Sequence, residues 1–376
     1  MHEVIVNVHN HTRYSDGSKT HRELALAAGR AGIDAVIVTD HNLLVKGMSG
    51  YYPVGDRNIL IIVGEEIHDR ALLPQKNHLL AFGITEELSS YAANTQNLIT
   101  RINRQQGVSF IAHPFEDALA LFNETDITWE NWGMTGYTGI EVWNGLSELK
   151  TVIKSKIQAI FYALLPAFLA HGPNLKAMQK WDELHKAGYV VCGIGGTDSH
   201  ELSLKLGPLR RKIFPYEWHY QTINNHLTLN EPLSGDADAD IRQIVRAFNA
   251  GNFFIGYDLP MPTTGFRFYG SGATRQILMG EVTDLSTSIT LQISLPSIAR
   301  TVLYRNGVSV AEWGNNEKCT YFVTEPGVYR SQCYIRYLGK ERNWIISNPI
   351  YIREKELRTT FFQDSRASGT GRSNLV

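Results

Sequence analysis

The stretch VIVNVHNH, residues 4–11, decides how the first two thirds of the chain are interpreted. Its alternating β-branched residues predict a strand, and residues 19–31 carry the pattern of an amphipathic helix. Strands and helices separated in this way indicate a parallel sheet with helices outside it, and this number of units favours a barrel related to the (β/α)8 type. Further strands are predicted at 34–40, 59–67, 78–84, 108–114, 139–144, 189–198 and 253–257, and further helices at 93–106, 146–170, 175–187 and 238–250.

The pattern changes near residues 260–265. Beyond that point come short alternating strands separated by turns, among them Asn306-Gly307, which is a strong hairpin signal. We therefore predict a small antiparallel β-sandwich after the barrel. The predicted organisation is an α/β barrel at 1–262, a β-sandwich at 263–355 and a disordered tail at 356–376.

Composition excludes several classes of protein. Hydrophobic residues make up 43% of the 376 residues, which is too many for a largely disordered chain. The formal net charge of -1 gives no overall positive field for nucleic acid or an anionic membrane. Three cysteines and the lack of an N-terminal signal favour a reducing, cytoplasmic location, and the apolar run at 159–170 is too short to span a membrane.

Histidine and acidic residues cluster where the predicted strands end. Because the carboxyl ends of parallel barrel strands meet on one face, we expect these side chains to lie close together. His9 and His11 are two residues apart, so both imidazoles point the same way on an extended backbone. His78 is an exception, since it opens its strand. The residues at strand ends are His9, His11, Asp40, His41, Glu66, His113, Asp198 and His200, and Asp16 follows in the loop after His11.

Each of these patterns has an ordinary explanation when it is taken alone. A His-x-His pair is most often a coincidence, and an Asp-His pair at a strand end is about as often a polar turn. Burying so many imidazoles and carboxylates together without a cation would cost free energy, however. Divalent metal ions remove that cost, so the combined pattern predicts a metal centre.

With these residues in place, the sequence resembles the PHP (polymerase and histidinol phosphatase) family. The resemblance covers about residues 1–257 and implies a distorted (βα)7 barrel. The attached sandwich is similar to that of the branch of PHP metallohydrolases that includes carbaryl hydrolase. The motifs, in chain order, are His9-Asn10-His11 with Ser15-Asp16-Gly17, Thr39-Asp40-His41-Asn42, Gly64-Glu65-Glu66, His78-Leu79-Leu80, Ala112-His113-Pro114 and Gly196-Thr197-Asp198-Ser199-His200.

The resemblance implies two or three divalent ions, for which mixed imidazole and carboxylate ligands suit zinc, manganese or iron. By motif position, the first ion would be held by His9, His11, Glu66 and Asp198, the second by Asp16, His41 and His200, and the third by Glu66, His78 and His113. Some relatives have histidine in place of Asp16, and Gly-Glu-Glu departs from the usual Gly-apolar-Glu. The residues expected to support the ligands from behind are Asp40, Glu65, His68, Glu141 and Asn144.

The resemblance also implies hydrolysis by a metal-bridging hydroxide, with His41, Asp198 and His200 as catalytic residues. The leading expectation is a phosphoesterase acting on a small phosphorylated metabolite, a nucleotide or a short oligonucleotide. One alternative is a carbamate, ester or amide hydrolase with the same metal site, and another is an inactive binding or structural module. Arg13 and Arg210 are candidates for binding substrate phosphate, although either can equally be surface charge.

Overall fold

The computed structural model describes residues 1–169, 171–206, 209–285 and 288–354, without the side chains of residues 203–206 and 209–210. The strands are β1 (His2–Asn7), β2 (Ala35–His41), β3 (Gly50–Val54), β4 (Arg57–Ile67), β5 (Leu79–Phe82), β6 (Val108–Ile111), β7 (Gly139–Asn144), β8 (Cys192–Gly196), β9 (Leu202–Leu206), β10 (Leu209–Ile213), β11 (Ile223–Leu229), β12 (Phe253–Tyr257), β13 (Arg267–Ser271), β14 (Gln276–Ile277), β15 (Val282–Asp284), β16 (Thr290–Arg305), β17 (Val308–Phe322), β18 (Gly327–Tyr337), β19 (Lys340–Ser347) and β20 (Ile350–Arg353). The α-helices are α1 (His21–Ala31), α2 (Thr95–Arg104), α3 (Gly145–Val152), α4 (Lys156–Leu164), α5 (Leu175–Lys186), α6 (Tyr216–Tyr220) and α7 (Ala237–Ala250), and short 3-10 helices lie at Ser89–Tyr91, Ala120–Phe122 and Pro166–Phe168.

Strands β1, β2, β4, β5, β6, β7 and β8 form a barrel. Hydrogen bonds beyond the ends of β1 and β8 close it, since the Thr197 amide donates to the Val8 carbonyl at 3.1 Å and the His11 amide donates to the Ser199 carbonyl at 3.1 Å. The predicted distorted barrel is therefore confirmed. Helix α7 covers the end of the barrel away from these two hydrogen bonds, where Phe248 packs against Phe82 and Phe110.

One barrel strand runs against its neighbours. β5 pairs antiparallel with both β4 and β6, while the pairs β1–β2, β2–β4, β6–β7 and β7–β8 are parallel. The start of β5 therefore lies at the same end of the barrel as the carboxyl ends of the parallel strands. His78, which immediately precedes β5, consequently faces the same site as the residues that end the other strands.

Helix α1 illustrates how the local sequence sets the outer layer. Thr20 caps its first turn, with Glu23 reaching back to the Thr20 amide at 2.9 Å, and Gly32 ends the helix with a φ of 86°. Leu24 and Ala28 are buried on its inner face. This helix packs beside β2 and β4, as expected for a barrel with external helices.

The predicted helix at 146–170 was wrong as a single element. The chain forms α3, then an extended residue at Ile153, then α4, whose first turn is capped by Ser155, and finally a 3-10 turn that begins at Pro166. Ser155 and Pro166 favour new helix starts rather than continuation. The sequence interpretation also missed β3, the β9–β10 hairpin, α6 and β11.

Strands β13–β20 form the predicted C-terminal β-sandwich around their own buried core, which includes Phe268, Leu303 and Trp344. The predicted hairpin turn is confirmed: Arg305 pairs with Val308, and Asn306 and Gly307 have φ angles of 50° and 77°. Most pairs are antiparallel, but β15–β20 is parallel. Because β12 of the barrel region also pairs with β19, hydrogen bonding continues from barrel to sandwich, and the domain boundaries stay a prediction.

The predicted tail at 356–376 lies outside the described residues. Among the described residues, none of the helices has the length and apolar character needed to span a bilayer.

Candidate metal centre

Glu66 occupies the centre of the candidate site. It is buried at the end of β4, and its two carboxylate oxygens face different imidazoles. Oε2 lies 3.0 Å from His9 Nε2 and 3.2 Å from His41 Nδ1. Oε1 lies 2.7 Å from His78 Nδ1 and 2.9 Å from His113 Nε2. If divalent ions bind here, both carboxylate oxygens of Glu66 would be available to hold them.

The first predicted ligand set comes together around His9 and His11. His11 Nε2 lies 3.2 Å from Glu66 Oε2 and 3.2 Å from Asp198 Oδ1, while His9 Nε2 lies 3.4 Å from the same Asp198 oxygen. Both imidazoles are fully buried. The ends of β1, β4 and β8 therefore place two nitrogens and two carboxylates around one position.

The second predicted set lies on the solvent side. Asp16 Oδ2 is 3.6 Å from His41 Nε2 and 3.2 Å from His200 Nε2. His11 Nδ1 approaches Asp16 Oδ1 at 3.6 Å, so His11 faces both sets. The side chain of Asp16 is 54% exposed and that of His41 is 25% exposed, so this set is the one a ligand from solvent meets first.

The donor set fits divalent metal ions. All nine predicted ligands occur in groups of three or four whose ligand atoms lie within 4.8 Å of one another. Several buried nitrogens at the site have no hydrogen-bond partner among the described residues: His11 Nε2, His41 Nδ1, His78 Nε2 and His113 Nδ1. Two of these nitrogens, His11 Nε2 and His41 Nδ1, lie 3.2 Å from Glu66 Oε2. Unpartnered imidazole nitrogens beside a carboxylate match the ligand preferences of zinc, manganese and iron. The residue-by-residue ligand assignment stays a prediction.

Electrostatics in the cluster favour a bound cation. Burial raises the pKa of Glu66, but the charges of His41, His9 and His78 outweigh burial and hold this pKa well below its ordinary value. Burial lowers the pKa of His11, but its contacts with Asp198 and Glu66 raise this pKa to about 10. The buried carboxylates thus attract positive charge, which divalent ions can supply in place of protons.

Glu141 and Asn144, at the end of β7, hold the ligand residues from behind. Glu141 Oε1 accepts from His9 Nδ1 at 2.9 Å, and Oε2 accepts from the His113 amide at 2.7 Å. Asn144 Nδ2 donates to Glu141 Oε2 at 2.9 Å and lies 3.4 Å from Asp198 Oδ2. These contacts fix the His9 ring so that Nε2 points into the site.

Asp40 organises the loop after β1 rather than a ligand. Its oxygens accept from the Thr12 amide at 2.7 Å, the Thr12 hydroxyl at 2.6 Å and the Ser15 hydroxyl at 2.7 Å. Because this loop carries Asp16, Asp40 positions the second set indirectly.

Glu65 and His68 behave differently from each other. Glu65 alternates with Glu66 on β4, and its described hydrogen bond comes from the Leu88 amide at 2.9 Å, away from the ligand residues. Burial raises the pKa of Glu65 to about 7. His68 stacks on His78 with ring centroids 4.3 Å apart and receives a 3.1 Å hydrogen bond from Asn42 Nδ2. His68 also forms a group with His41 and His78, so it stands next to the ligand residues.

Of the two predicted phosphate-binding arginines, the structure describes the side chain of Arg13 alone. Arg13 is 62% exposed, and its guanidinium lies 4.0 Å from Glu23 Oε2. The side chain of Arg210 lies outside the described residues. Tyr216, which the sequence analysis missed, does touch the site: its hydroxyl donates to the His11 carbonyl at 2.7 Å and lies 3.2 Å from the His200 carbonyl oxygen. Tyr216 belongs to α6, a five-residue helix without a strong sequence pattern.

Several solved structures resemble this chain. A two-domain protein from Bacteroides vulgatus, containing a predicted PHP-like metal-dependent phosphoesterase, has 16% identity and a TM-score of 0.44, with 92% of this chain and 95% of that chain covered. An amidohydrolase from Chromobacterium violaceum, solved with bound sulfate and no metal, has 13% identity and a TM-score of 0.32, with 56% of this chain and 92% of that chain covered. A comparison with curated proteins returned no match.

The model of the PHP domain matches residues 7–184. The matched segment contains seven of the nine predicted ligands, namely His9, His11, Asp16, His41, Glu66, His78 and His113. Asp198 and His200 follow it, and the barrel closure brings them to the same site. Residues 7–184 therefore match the PHP domain, and the donor set of the site fits metal-dependent hydrolysis.

Proposed function

We propose that this protein is a metal-dependent hydrolase that cleaves small phosphate monoesters or diesters. The observation that carries the proposal is the position of Glu66, with imidazoles of His9 and His41 on one oxygen and those of His78 and His113 on the other. When bound, two or three divalent ions supply a water of lowered pKa and a Lewis acid for a phosphoryl or carbonyl oxygen.

The chain's own residues divide the remaining tasks. The fully buried His9 and His11 form the rigid base of the site, and Glu141 fixes the ring of His9. His41 and His200 lie on the solvent side with 25% and 13% exposure, so their imidazoles stand next to an incoming substrate. Asp198 lies between the buried and exposed sets, 3.6 Å from His200 Nδ1.

Hydrolysis of a carbamate, ester or amide is the second candidate. It is favoured by the small number of cationic side chains near the site among those that the structure describes, since a neutral carbonyl substrate needs no cationic clamp while a phosphate usually has one. Arg13 is turned toward Glu23, and Lys150 is paired with Glu116 and Glu124. We further propose a small-molecule substrate and a cytoplasmic location, which the net charge of -1 and the three buried free cysteines support.

A substrate panel tests the proposal. The metal-stripped protein is reconstituted with Mn²⁺ or Zn²⁺ and assayed with 4-nitrophenyl phosphate, bis(4-nitrophenyl) phosphate and 4-nitrophenyl N-methylcarbamate. We expect phosphate ester cleavage that depends on added metal and that falls at least about 100-fold in Glu66→Gln and His41→Ala, since both variants remove ligand atoms. Glu65→Gln, at the neighbouring buried carboxyl, should stay within about threefold of the unaltered protein. Cleavage of the carbamate without any phosphate ester would overturn the proposal in favour of the second candidate.

A further inference from the structure

A cavity of about 580 Å³ opens beside the candidate metal centre. It lies between the loop after β6, helix α3 and the segment 171–177 that leads into α5. Its volume lies within the range that small-molecule sites usually have. His113 lines it and also contacts Glu66 Oε1 at 2.9 Å, so the cavity begins at the third predicted ligand set.

The β-sandwich contributes one wall of this cavity. Asn343 of β19 lines this cavity, and the backbone N–H of Asn343 donates to the His171 carbonyl at 3.4 Å. The neighbouring Arg342 is buried and donates to the Phe168 carbonyl at 3.3 Å. This contact holds Phe168, which precedes segment 171–177, against β19. Gly172 makes the close contact possible, because a Cβ there would lie 2.5 Å from Asn343 Nδ2. The sandwich therefore shapes the space next to the metal centre.

Asn343 also carries an unused acceptor. Its Oδ1 is buried and has no hydrogen-bond partner among the described residues. A buried acceptor without a partner is costly, so a donor on a bound ligand would relieve that cost. Another buried polar lining residue, Glu148, is already occupied, since its Oε2 accepts from Trp143 Nε1 at 2.8 Å and its Oε1 accepts from the His171 amide.

The charges around the cavity disfavour an anion. Its charged lining residues, apart from histidine, are Asp117, Glu141, Glu148 and Lys176, and Lys176 is paired with Asp117 at 3.0 Å. The rest of the lining is largely apolar, with Pro114, Phe115, Val142, Pro173, Leu175 and Ala177 among its members. A carboxylate or a second phosphate placed here would face Glu141 and Glu148, while Asp117 already pairs with Lys176, so no free lysine is left among the lining residues that the structure describes.

We propose that this cavity binds the non-reacting part of the substrate, and that this part is a neutral, largely apolar group whose N–H or O–H donates to Asn343. The inference rests on the proposed function, since it places the ester bond at the metal centre. It narrows the substrate class to esters with one anionic end and disfavours substrates whose non-reacting part carries further negative charge. It also gives the sandwich a role in selecting the substrate.

Three aryl phosphates that differ only at the distal position test this inference: phenyl phosphate, 4-(hydroxymethyl)phenyl phosphate and 4-carboxyphenyl phosphate. With the metal-loaded full-length protein, kcat/KM should be highest for the hydroxymethyl ester and at least about tenfold lower for the carboxy ester. Asn343→Ala should lower kcat/KM for the hydroxymethyl ester about five- to tenfold, the loss expected for one hydrogen bond. The same variant should change kcat/KM for phenyl phosphate by less than about twofold. Asn316→Ala, at an exposed position of β17, is the matched control and should change none of the three.

Equal losses of kcat/KM for all three esters in Asn343→Ala would overturn the inference. A preference of the unaltered protein for the carboxy ester would overturn it as well. If Asn343→Ala does not fold, Gly172→Ala serves instead, because its added Cβ displaces the side-chain amide of Asn343. This variant should give the same selective loss of kcat/KM for the hydroxymethyl ester. If the unaltered protein cleaves no phosphate ester, the proposed function fails by itself. The cavity is then tested by saturation-transfer NMR, in which 4-(hydroxymethyl)phenol should bind the protein but not Asn343→Ala, and 4-hydroxybenzoate should bind neither. Absence of 4-(hydroxymethyl)phenol binding would overturn the inference as well.

Discussion

His9, His113 and Asp198 have backbone φ angles of 68°, 25° and 52°, in the left-handed region that residues with side chains rarely adopt. Such conformations cost about 1–3 kcal/mol each and persist where the surrounding structure enforces them, which happens most often at functional sites. All three residues follow a strand and point into the same site. The strain supports the interpretation that the site, rather than local preference, determines these conformations.

At the residue scale, Glu141 provides a sharp test of how the site is held. Glu141→Gln keeps the size of the side chain but removes the charge that His9 Nδ1 and the His113 amide contact at 2.9 and 2.7 Å. Loss of such a supporting carboxylate weakens metal binding about 10- to 100-fold. We expect Glu141→Gln to lose metal to a chelator at correspondingly lower concentration, measured by elemental analysis after dialysis. Glu65→Gln should retain metal as the unaltered protein does, and equal retention by both variants would contradict the supporting role of Glu141.

The sequence predicted the clustered residues of the site and the supporting residues Glu141 and Asn144, but it did not predict every residue around the site. His9, His41, Glu66 and Asp198 were predictable because they come at strand ends, and strand ends converge in a barrel. Tyr216 and Asn343 were not, because each reaches the site through a contact between distant segments that leaves no periodic pattern. Glu65 lay next to a ligand in sequence, but strand alternation turns it toward Leu88 instead.

At the element scale, β7 and β8 approach each other closely at Gly196, and this approach positions Glu141 behind His9. A Cβ on Gly196 would lie 1.8 Å from Glu141 Oε1 and 3.0 Å from His9 Cβ, so only glycine fits there. We expect Gly196→Ala to destabilise the protein by about 1–3 kcal/mol, as overpacking usually does, and to weaken metal retention by displacing Glu141. Urea unfolding and elemental analysis measure the two effects. Gly133→Ala, where nothing lies within 4 Å of the added Cβ, should show neither, and normal metal retention in Gly196→Ala would contradict the coupling.

The elements themselves were predicted unevenly. Long periodic segments such as α1 and α7 were found, but the stretch at 146–170 was predicted as one helix because its apolar pattern continues across Ser155 and Pro166. Periodicity reports which face is buried, whereas capping and proline determine where the backbone turns. The antiparallel direction of β5 also follows from tertiary pairing, which residues 78–84 do not encode locally.

At the scale of the whole molecule, barrel and sandwich are joined by buried charged groups. Arg330 of β18 contacts Asp182 of α5 at 2.8 Å. A second connection involves Glu3 of β1, whose carboxylate contacts His226 Nδ1 at 2.9 Å and Arg267 of β13 at 2.6 Å. These contacts link the start of the chain to the sandwich, and composition alone gives no sign of them.

The His226 connection makes stability depend on pH in a direction that can be tested. Burial lowers the pKa of His226, but the charges of Asp258 and Glu3 outweigh burial and raise it from 6.5 to about 9. A raised pKa means that the stabilisation is fully present below about pH 6.5 and is lost as the pH rises through about 9. The free energy of unfolding of the protein, minus that of His226→Gln, should therefore fall by about 3 kcal/mol across this range.

Urea unfolding at several pH values measures this difference. His185→Gln is the control, because burial lowers the pKa of His185 to about 4 and this imidazole stays neutral across the same range. The free energy of unfolding of the unaltered protein, minus that of His185→Gln, should be constant between pH 6.5 and 9. This difference should change only under acid conditions, as the pH falls below 6.5 toward 4. A constant difference for His226→Gln as well would show that the imidazole of His226 is not held in its charged form between Glu3 and Asp258. The connection at His226 would then owe its stability to packing against Phe254, whose ring stacks on His226 at 4.7 Å, and not to the ion pairs of His226 with Glu3 and Asp258.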